Sequence, residues 1–309
     1  MNVSTPAREA GPTIQRVDFG RVSVYFGDKN GKYPDGNQVM VRGTDTLTAF
    51  DTPLVANHIG PEFDAARLVV MGHVHEDHMA GLHRLPHAAV HVHREDLPAA
   101  QSWQGMADAF GTPQHERDET FVRLQREFFY APRPDAVAYD DGAEWDLGGS
   151  RVRAYHMPGH TLGHTVLVVE PEGVAFIGDI DLSSFGPYYG DVTSNLADFR
   201  RTLAKLPQIP ARIWVTSHHR GVYTDRERFL NDLAAFAAKI DAREQRLLDL
   251  LAESPKTVAQ LVDCRLLYPP GHESPWVIGA ETRSITQHLA ELIERQRVVV
   301  DDEGVYRLA

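Results

Sequence analysis

The segment His73-Val74-His75-Glu76-Asp77-His78-Met79-Ala80-Gly81 places four potential metal ligands within six residues, in the order His-x-His-x-Asp-His. Imidazole and carboxylate donors suit zinc, and also iron, manganese or nickel. In an extended segment, side chains at i and i+2 point the same way, so His73 and His75 can hold one cation together. Asp77 and His78 fall where the chain turns, and can face a second cation close by. The bland alternative is a surface loop that happens to be rich in histidine.

Three further donors occur in the same setting, a strand followed by a polar turn. His160 lies between Gly159 and Gly163, which allow close backbone approach. Asp179 follows Phe176-Ile177-Gly178, and its two oxygens can bridge two cations. His218 follows Ile213-Trp214-Val215, with His219 beside it as a competing choice. Asp51 ends another strand before Thr52-Pro53. It reads either as a turn former or as a carboxylate just outside the ligands that orients one of them. His164 reads as a structural histidine behind the ligands, and Glu76 as exposed. Tyr188 and Tyr189, in the long loop 183–195, are either aromatic packing or phenols facing a substrate, able to donate to a developing oxyanion.

These donors need strands to carry them. The apolar run Arg67-Leu68-Val69-Val70-Met71 reads as a buried strand leading into the His-rich turn, with a helix beginning near Met79. Short strands with turns are expected over 13–55, a strand at 88–92 and a helix over 94–104. Residues 105–135 read as an insertion. Phe121, Leu124, Phe128 and Phe129 recur there at helical spacing, and the segment either covers an active site as a lid or packs on the core. Strands return over 136–155, 166–169, 174–177 and 212–216. Thr224-Asp225-Arg226-Glu227 then forms a capping box. Three helices and a hairpin follow to the end, a winged-helix order. The expected parts are a flexible tail over 1–13, a catalytic domain over 14–238 and a winged-helix-like domain over 239–309.

The chain has 309 residues, 42% of them hydrophobic, enough for a sizeable core. No apolar run nears the ~18 residues needed to cross a bilayer. Met1 to Thr13 lacks the apolar stretch of a secretory signal. Cys264 is the only cysteine, so no internal disulfide forms, which fits a cytoplasmic setting. A net charge of −12 opposes non-specific nucleic-acid binding. Residues 241–309 carry more acidic than basic side chains, which leaves a DNA-recognition helix poorly equipped. The expected partner is a small-molecule substrate, with no membrane; a homodimer stays open.

Taken together, His73-x-His75-x-Asp77-His78, Pro158-Gly159-His160-Thr161-x-Gly163-His164, Gly178-Asp179 and His218 make the chain resemble a metallo-β-lactamase-fold hydrolase over most of residues 14–220. The resemblance implies an α/β fold, a four-layer αβ/βα sandwich with metals at one edge of two facing sheets. It implies His73, His75 and His160 on one metal, Asp77, His78 and His218 on the other, and Asp179 bridging. Ser217 stands where the family often has the first glycine of Gly-His-Gly, which favours His218 over His219. The metal motif is similar to that of glyoxalase II, whereas the winged helix resembles that of another subgroup. Flavin-linked diiron members have Glu in place of His75, and the exported β-lactamases with a cysteine ligand carry it in place of Asp179.

The implied chemistry uses two divalent ions, zinc first and iron or manganese next, to activate a shared water. The bridging hydroxide attacks an ester, thioester, lactone or phosphodiester, while Asp77 orients it and moves its proton. Beside a nucleic-acid phosphodiesterase, which the acidic balance of the chain disfavours, two rival readings remain. One is a mononuclear iron dioxygenase acting on a persulfide or related sulfur compound. The other is a DNA-binding regulator that uses the hydrolase fold as a sensor.

Overall fold

The computed structural model describes residues 14–309; the expected tail over 1–13 lies outside the described residues. Strands β1 (Arg16–Phe19), β2 (Val22–Tyr25), β3 (Gln38–Arg42), β4 (Leu47–Phe50), β5 (Leu68–Val70), β6 (Ala89–His93) and β7 (Val137–Tyr139) form one sheet in chain order. β1 to β4 pair antiparallel, and β4 to β7 pair parallel. A second sheet holds β8 (Glu144–Asp146), β9 (Arg151–His156), β10 (Thr165–Glu170), β11 (Val174–Phe176), β12 (Ile213–Val215) and β13 (Val222–Tyr223). Only β11 and β12 pair parallel there. A small third sheet joins β14 (Lys256–Thr257), β15 (Val298–Val300) and β16 (Val305–Leu308), with β16 in the middle.

Side-chain alternation along the strands builds the layers. Val22, Val24, Val39, Val41, Phe50 and Val70 face Val152, Ala154, Leu167, Val169, Phe176 and Val215 between the two large sheets. The opposite face of the first sheet, with Ala49, Val69 and Val90, packs on Met106, Leu124 and Phe128 from helices. The opposite face of the second, with Val166, Val168 and Trp214, packs on Phe199, Phe229 and Phe236. The result is helices, mixed sheet, mixed sheet, helices.

Where the sequence pattern points to a helix near Met79, the structure has two tight 3-10 turns, Asp77–Met79 and Leu82–Arg84. The backbone groups that an α-helix would pair internally are engaged elsewhere. The Thr52 N–H donates to the His78 carbonyl and the Gly81 N–H to the Thr52 carbonyl, which ties the ligand turn to the end of β4. The helix expected over 94–104 is two helices, Leu97–Gln101 and Trp103–Phe110. They break at Ser102, whose hydroxyl caps the second by accepting the Gly105 N–H. The insertion continues with the helix Arg117–Phe128.

The expected boundary at 238/239 falls inside one continuous helix, Arg226–Glu253. Its Phe229, Leu233, Phe236 and Ile240 pack on the second sheet. Leu247, Leu248 and Leu251 pack instead with Leu261, Ile285, Leu289 and Val298. Apolar residues three or four apart thus let one helix serve both units. The short helix Val258–Asp263 and the helix Val277–Glu294 complete the C-terminal unit. No helix among the described residues is long and apolar enough to cross a membrane.

Candidate metal centre

The donors gather where parallel strands end. Phe50 and Val70 are paired, so Asp51 and the turn bearing His73 leave the first sheet side by side. Phe176 and Val215 are paired likewise, which brings Asp179 and His218 out together from the second. His160 comes from the connection between β9 and β10. Two tight backbone approaches fix these turns. At Gly159 (φ 137°) a Cβ would stand 2.4 Å from Phe199 Cα, and at Gly178 (φ 56°) it would stand 2.5 Å from His164 Nε2. Only glycine fits either place.

All seven expected donors converge. Asp179 Oδ2 lies 3.3 Å from His160 Nε2 and 3.9 Å from His73 Nε2. Its Oδ1 lies 3.1 Å from His78 Nε2 and 3.4 Å from His218 Nε2. Asp77 Oδ2 is 3.1 Å from His218 Nε2 and 3.5 Å from His78 Nε2. Donor atoms of His73, His75, His160 and Asp179 lie within 4.8 Å of one another, as do those of Asp77, His78 and His218.

The outer nitrogens fix the tautomers. His78 Nδ1 meets Asp51 Oδ2 at 2.8 Å, His160 Nδ1 meets the Tyr188 carbonyl at 3.0 Å, and His218 Nδ1 meets the Gly31 and Asp35 carbonyls at 2.9 and 2.8 Å. Each acceptor takes the Nδ1 proton and leaves an Nε2 lone pair facing inward. His75 is turned the other way: Nε2 lies 3.0 Å from Asp191 Oδ2, and Nδ1 faces His160 Nε2 at 3.1 Å. Two lone pairs directed at one point make a cation site. His73 Nε2, His78 Nε2, His218 Nε2 and Asp179 Oδ1 are buried without any hydrogen-bond partner. Buried polar atoms are rarely left so, and bound cations would satisfy all four. The residues fit a metal centre.

Charge within the cluster is mutually supported. Burial pushes the Asp179 carboxyl up, but the His218, His78 and His73 imidazoles hold it well below the ordinary range. Burial pushes His218 down, and the Asp179 and Asp77 carboxylates lift it to about 10. Burial likewise lowers His75, while Asp191 lifts it to about 9. These imidazole protons stand where cations would, so metal binding releases protons.

The neighbouring residues sort plainly. His218 joins the cluster, whereas His219 is half-buried and 3.5 Å from Asp181 Oδ2. His164 holds its ring on the Met157 carbonyl (3.0 Å) and accepts the Asp179 N–H at 3.2 Å, so it sets the Asp179 backbone. Asp51 accepts the Gly72 N–H at 2.6 Å as well as facing His78. Its φ of 48° is uncommon outside glycine, and such strain concentrates at functional sites.

Tyr189, expected beside Tyr188 as a residue facing substrate, does not line the cavity that opens from the cluster. It is fully buried, with its hydroxyl 2.8 Å from His288 Nε2. Glu76 is not exposed: it is half-buried and accepts the Tyr33 hydroxyl at 3.2 Å. Two carboxylates escape a reading of the sequence. One is Asp191. The other is Asp96, which accepts from Val74 N–H, Thr161 Oγ1 and Gly163 N–H and so ties the first ligand loop to the loop bearing His160. Both make contacts too distant in sequence to leave a spacing signal.

A cavity of about 830 Å³ opens from the cluster. His75, Asp77, His160, Asp179 and His218 form its floor. Its walls are largely apolar: Tyr33, then Phe110, Leu124 and Phe128 of the insertion, Tyr188, and Trp276 and Ile278 of the C-terminal unit. The Tyr188 hydroxyl donates to Asp191 Oδ1 at 3.1 Å.

The sequence profile of the Metallo-beta-lactamase superfamily matches residues 67–231, more than half of the chain, and the chain belongs to that superfamily. It is an enzyme of the metallo-hydrolase class. It is 29% identical over 210 residues to human "Acyl-coenzyme A thioesterase MBLAC2", covering 58% of this chain and 71% of the relative. It is 30% identical over 136 residues to the "Hydroxyacylglutathione hydrolase" of Methylococcus capsulatus, covering 43% and 51%. Among solved structures, a metallo-beta-lactamase family protein from Thermus thermophilus superposes with a TM-score of 0.67 at 25% identity, covering 89% of this chain and 94% of that one. A beta-lactamase domain protein from Burkholderia ambifaria shares the fold over 99% of this chain and 95% of its own, with a TM-score of 0.68 at 18% identity.

Proposed function

We propose that the protein is a binuclear hydrolase of acyl thioesters or related esters, using two zinc ions and accepting an apolar acyl group. One observation carries the reading: two donor groups approached by the separate oxygens of Asp179 open, through His75, Asp77, His160, Asp179 and His218, onto a cavity of about 830 Å³ with largely apolar walls. His73, His75 and His160 would hold one ion and Asp77, His78 and His218 the other, with the Asp179 carboxylate available to both groups. When bound, the ions supply a water of lowered pKa and a Lewis acid for the scissile carbonyl.

The chain's own groups do the rest. Asp77, on the cavity floor, takes up the proton of the attacking water. The Tyr188 ring contacts the acyl portion beside the scissile bond. Phe110, Leu124, Phe128 and Trp276 exclude water from the acyl chain. The names borne by the human and Methylococcus relatives, an acyl-coenzyme A thioesterase and a hydroxyacylglutathione hydrolase, favour a thioester over a phosphodiester. The mononuclear dioxygenase reading would leave the inward Nε2 atoms of His78 and His218 without a use.

We read the C-terminal unit as winged-helix-like; β14 lies between its first two helices and the β15–β16 hairpin comes last, an order compatible with that reading. Its third helix occupies the recognition position, but Ala280, Ser284 and His288 on that helix are buried. We therefore read the unit as part of the substrate cavity, in a cytoplasmic enzyme without a nucleic-acid partner.

The test is elemental analysis of the purified chain together with hydrolysis of a panel of acyl thioesters, lactones and phosphodiesters. About two zinc per chain and preferential thioester turnover are expected, with one zinc equivalent and the turnover lost in His73→Ala. About one iron per chain with sulfur-dependent oxygen uptake would replace this reading with the dioxygenase.

A further inference from the structure

We infer that the helix Val277–Glu294 positions two of the metal ligands, His75 and His160, through the loop 188–191; this rests on the metal-centre reading above. Arg283, Ser284, Gln287 and His288 fall at i, i+1, i+4 and i+5, on one helix face. All four reach the middle of that loop. Arg283 Nε donates to the Gly190 carbonyl. Ser284 Oγ and Gln287 Nε2 donate to the Tyr189 carbonyl at 3.3 and 3.0 Å. His288 Nε2 holds the Tyr189 hydroxyl at 2.8 Å. A Cβ on Gly190 would stand 2.7 Å from Ala280 Cβ, so the loop lies directly on the helix.

The residues flanking this pinned pair are the outer partners of the ligands. The Tyr188 carbonyl accepts the Nδ1 proton of His160 at 3.0 Å. Asp191 Oδ2 accepts the Nε2 proton of His75 at 3.0 Å. Ser194 Oγ donates to the His160 carbonyl and accepts the Asp191 N–H, closing the connection. Such outer partners set the tautomer and the direction of a ligand ring. Tyr188 and Asp191 bracket Tyr189 and Gly190, so displacing the pinned backbone moves both acceptors at once. Two ligands of the other group draw on other supports: His78 on Asp51, and His218 on the Gly31 and Asp35 carbonyls. The effect is therefore one-sided. Affinity for the ion on His73, His75 and His160 depends on the C-terminal helix, and affinity for the other ion does not.

Zinc alone, titrated into the full chain against a chromogenic chelator, tests this, with melting temperatures of the metal-free proteins measured alongside. The variants are Arg283→Met, Gln287→Leu and, as the direct comparison, Asp191→Asn. Glu281→Gln serves as the structural control, since the buried Glu281 carboxylate accepts the backbone N–H groups of Leu266, Leu267 and Tyr268 and does not touch the loop. Arg283→Met and Gln287→Leu are expected to weaken one zinc equivalent about 10- to 100-fold, as Asp191→Asn does, and to leave the other unchanged. Glu281→Gln is expected to lower the melting temperature with both affinities intact. Wild-type affinity for both equivalents in Arg283→Met and Gln287→Leu overturns the inference. So does equal weakening of both equivalents in every variant, the control included. A wild-type chain that binds no zinc overturns the metal-centre reading itself, and the inference with it.

Discussion

The Asp179 carboxylate spans from His160 to His78: Oδ2 lies 3.3 Å from His160 Nε2, and Oδ1 lies 3.1 Å from His78 Nε2. No other side chain among the described residues approaches both donor groups with separate oxygens, so removing it uncouples them. Asp179→Ala is expected to lower zinc content from about two per chain toward one and to cut kcat by at least about a hundredfold. Elemental analysis and thioester turnover on the same preparation check this. Full zinc content with near-normal turnover would show that Asp179 does not join the two groups.

Asp51 supports only one of those groups. Its Oδ2 takes the Nδ1 proton of His78 at 2.8 Å, while its Oδ1 takes the Gly72 N–H at 2.6 Å. Asp51→Asn keeps an acceptor for Gly72, and asparagine tolerates the left-handed backbone at this position. The charge facing His78 is lost. Zinc affinity at the group of Asp77, His78 and His218 should fall about 10- to 100-fold, with the melting temperature of the metal-free chain little changed. An unaltered titration would mean that the carboxylate does not tune His78.

The seven donors were legible because each follows a short apolar strand and a polar turn, and a turn at a strand end is a local signal. His218 could be preferred over His219 only through the Gly-His-Gly pattern; the structure shows the physical difference, since His219 adopts a left-handed φ of 60° and turns toward Asp181. The supporting shell was not legible. Asp191 reaches His75 across more than a hundred residues, and Asp96 reaches Gly163 across 67. Tyr188 and Tyr189 are adjacent and alike in type, yet one lines the cavity and the other is sealed against His288. Only the docking of the C-terminal helix separates them, and that is a long-range fact. The break in the helix expected near Met79 has the same origin, a backbone hydrogen bond from Thr52.

Outside the metal centre, His93 stacks on His156 with ring centroids 4.1 Å apart. Burial, and then the His156 ring, push the His93 imidazole down to about 4, against the attraction of Asp140 and Asp141. Its folded-state pKa is thus below the unfolded value of about 6.5. As pH falls from 6.5 toward 4, the unfolded chain takes up a proton that the folded chain refuses. The stability contributed by neutral His93 is complete above pH 6.5 and is lost as the pH falls through that window. Thermal melts between pH 7 and 4.5 should therefore decline more steeply for the wild type than for His93→Gln. Parallel declines would rule His93 out as the titrating group.

Ile278 stands on the cavity wall and is 54% exposed, so a polar substitution there costs the fold little. If the acyl chain lies along this wall, each added methylene buries apolar surface worth up to about 0.8 kcal/mol. The specificity constant kcat/KM should then climb by up to about fourfold per methylene along a series of straight-chain thioesters, and level off once the cavity is filled. Ile278→Asp should flatten that climb by placing a charge against the chain. Turnover of the shortest acyl thioester, which does not reach the wall, should stay near the wild-type value. The comparison of slopes is decisive because a variant that only damaged the metal centre would lower every substrate by the same factor. Identical slopes in the two proteins would mean that the chain runs elsewhere, along Phe110 and Leu124 or out into solvent.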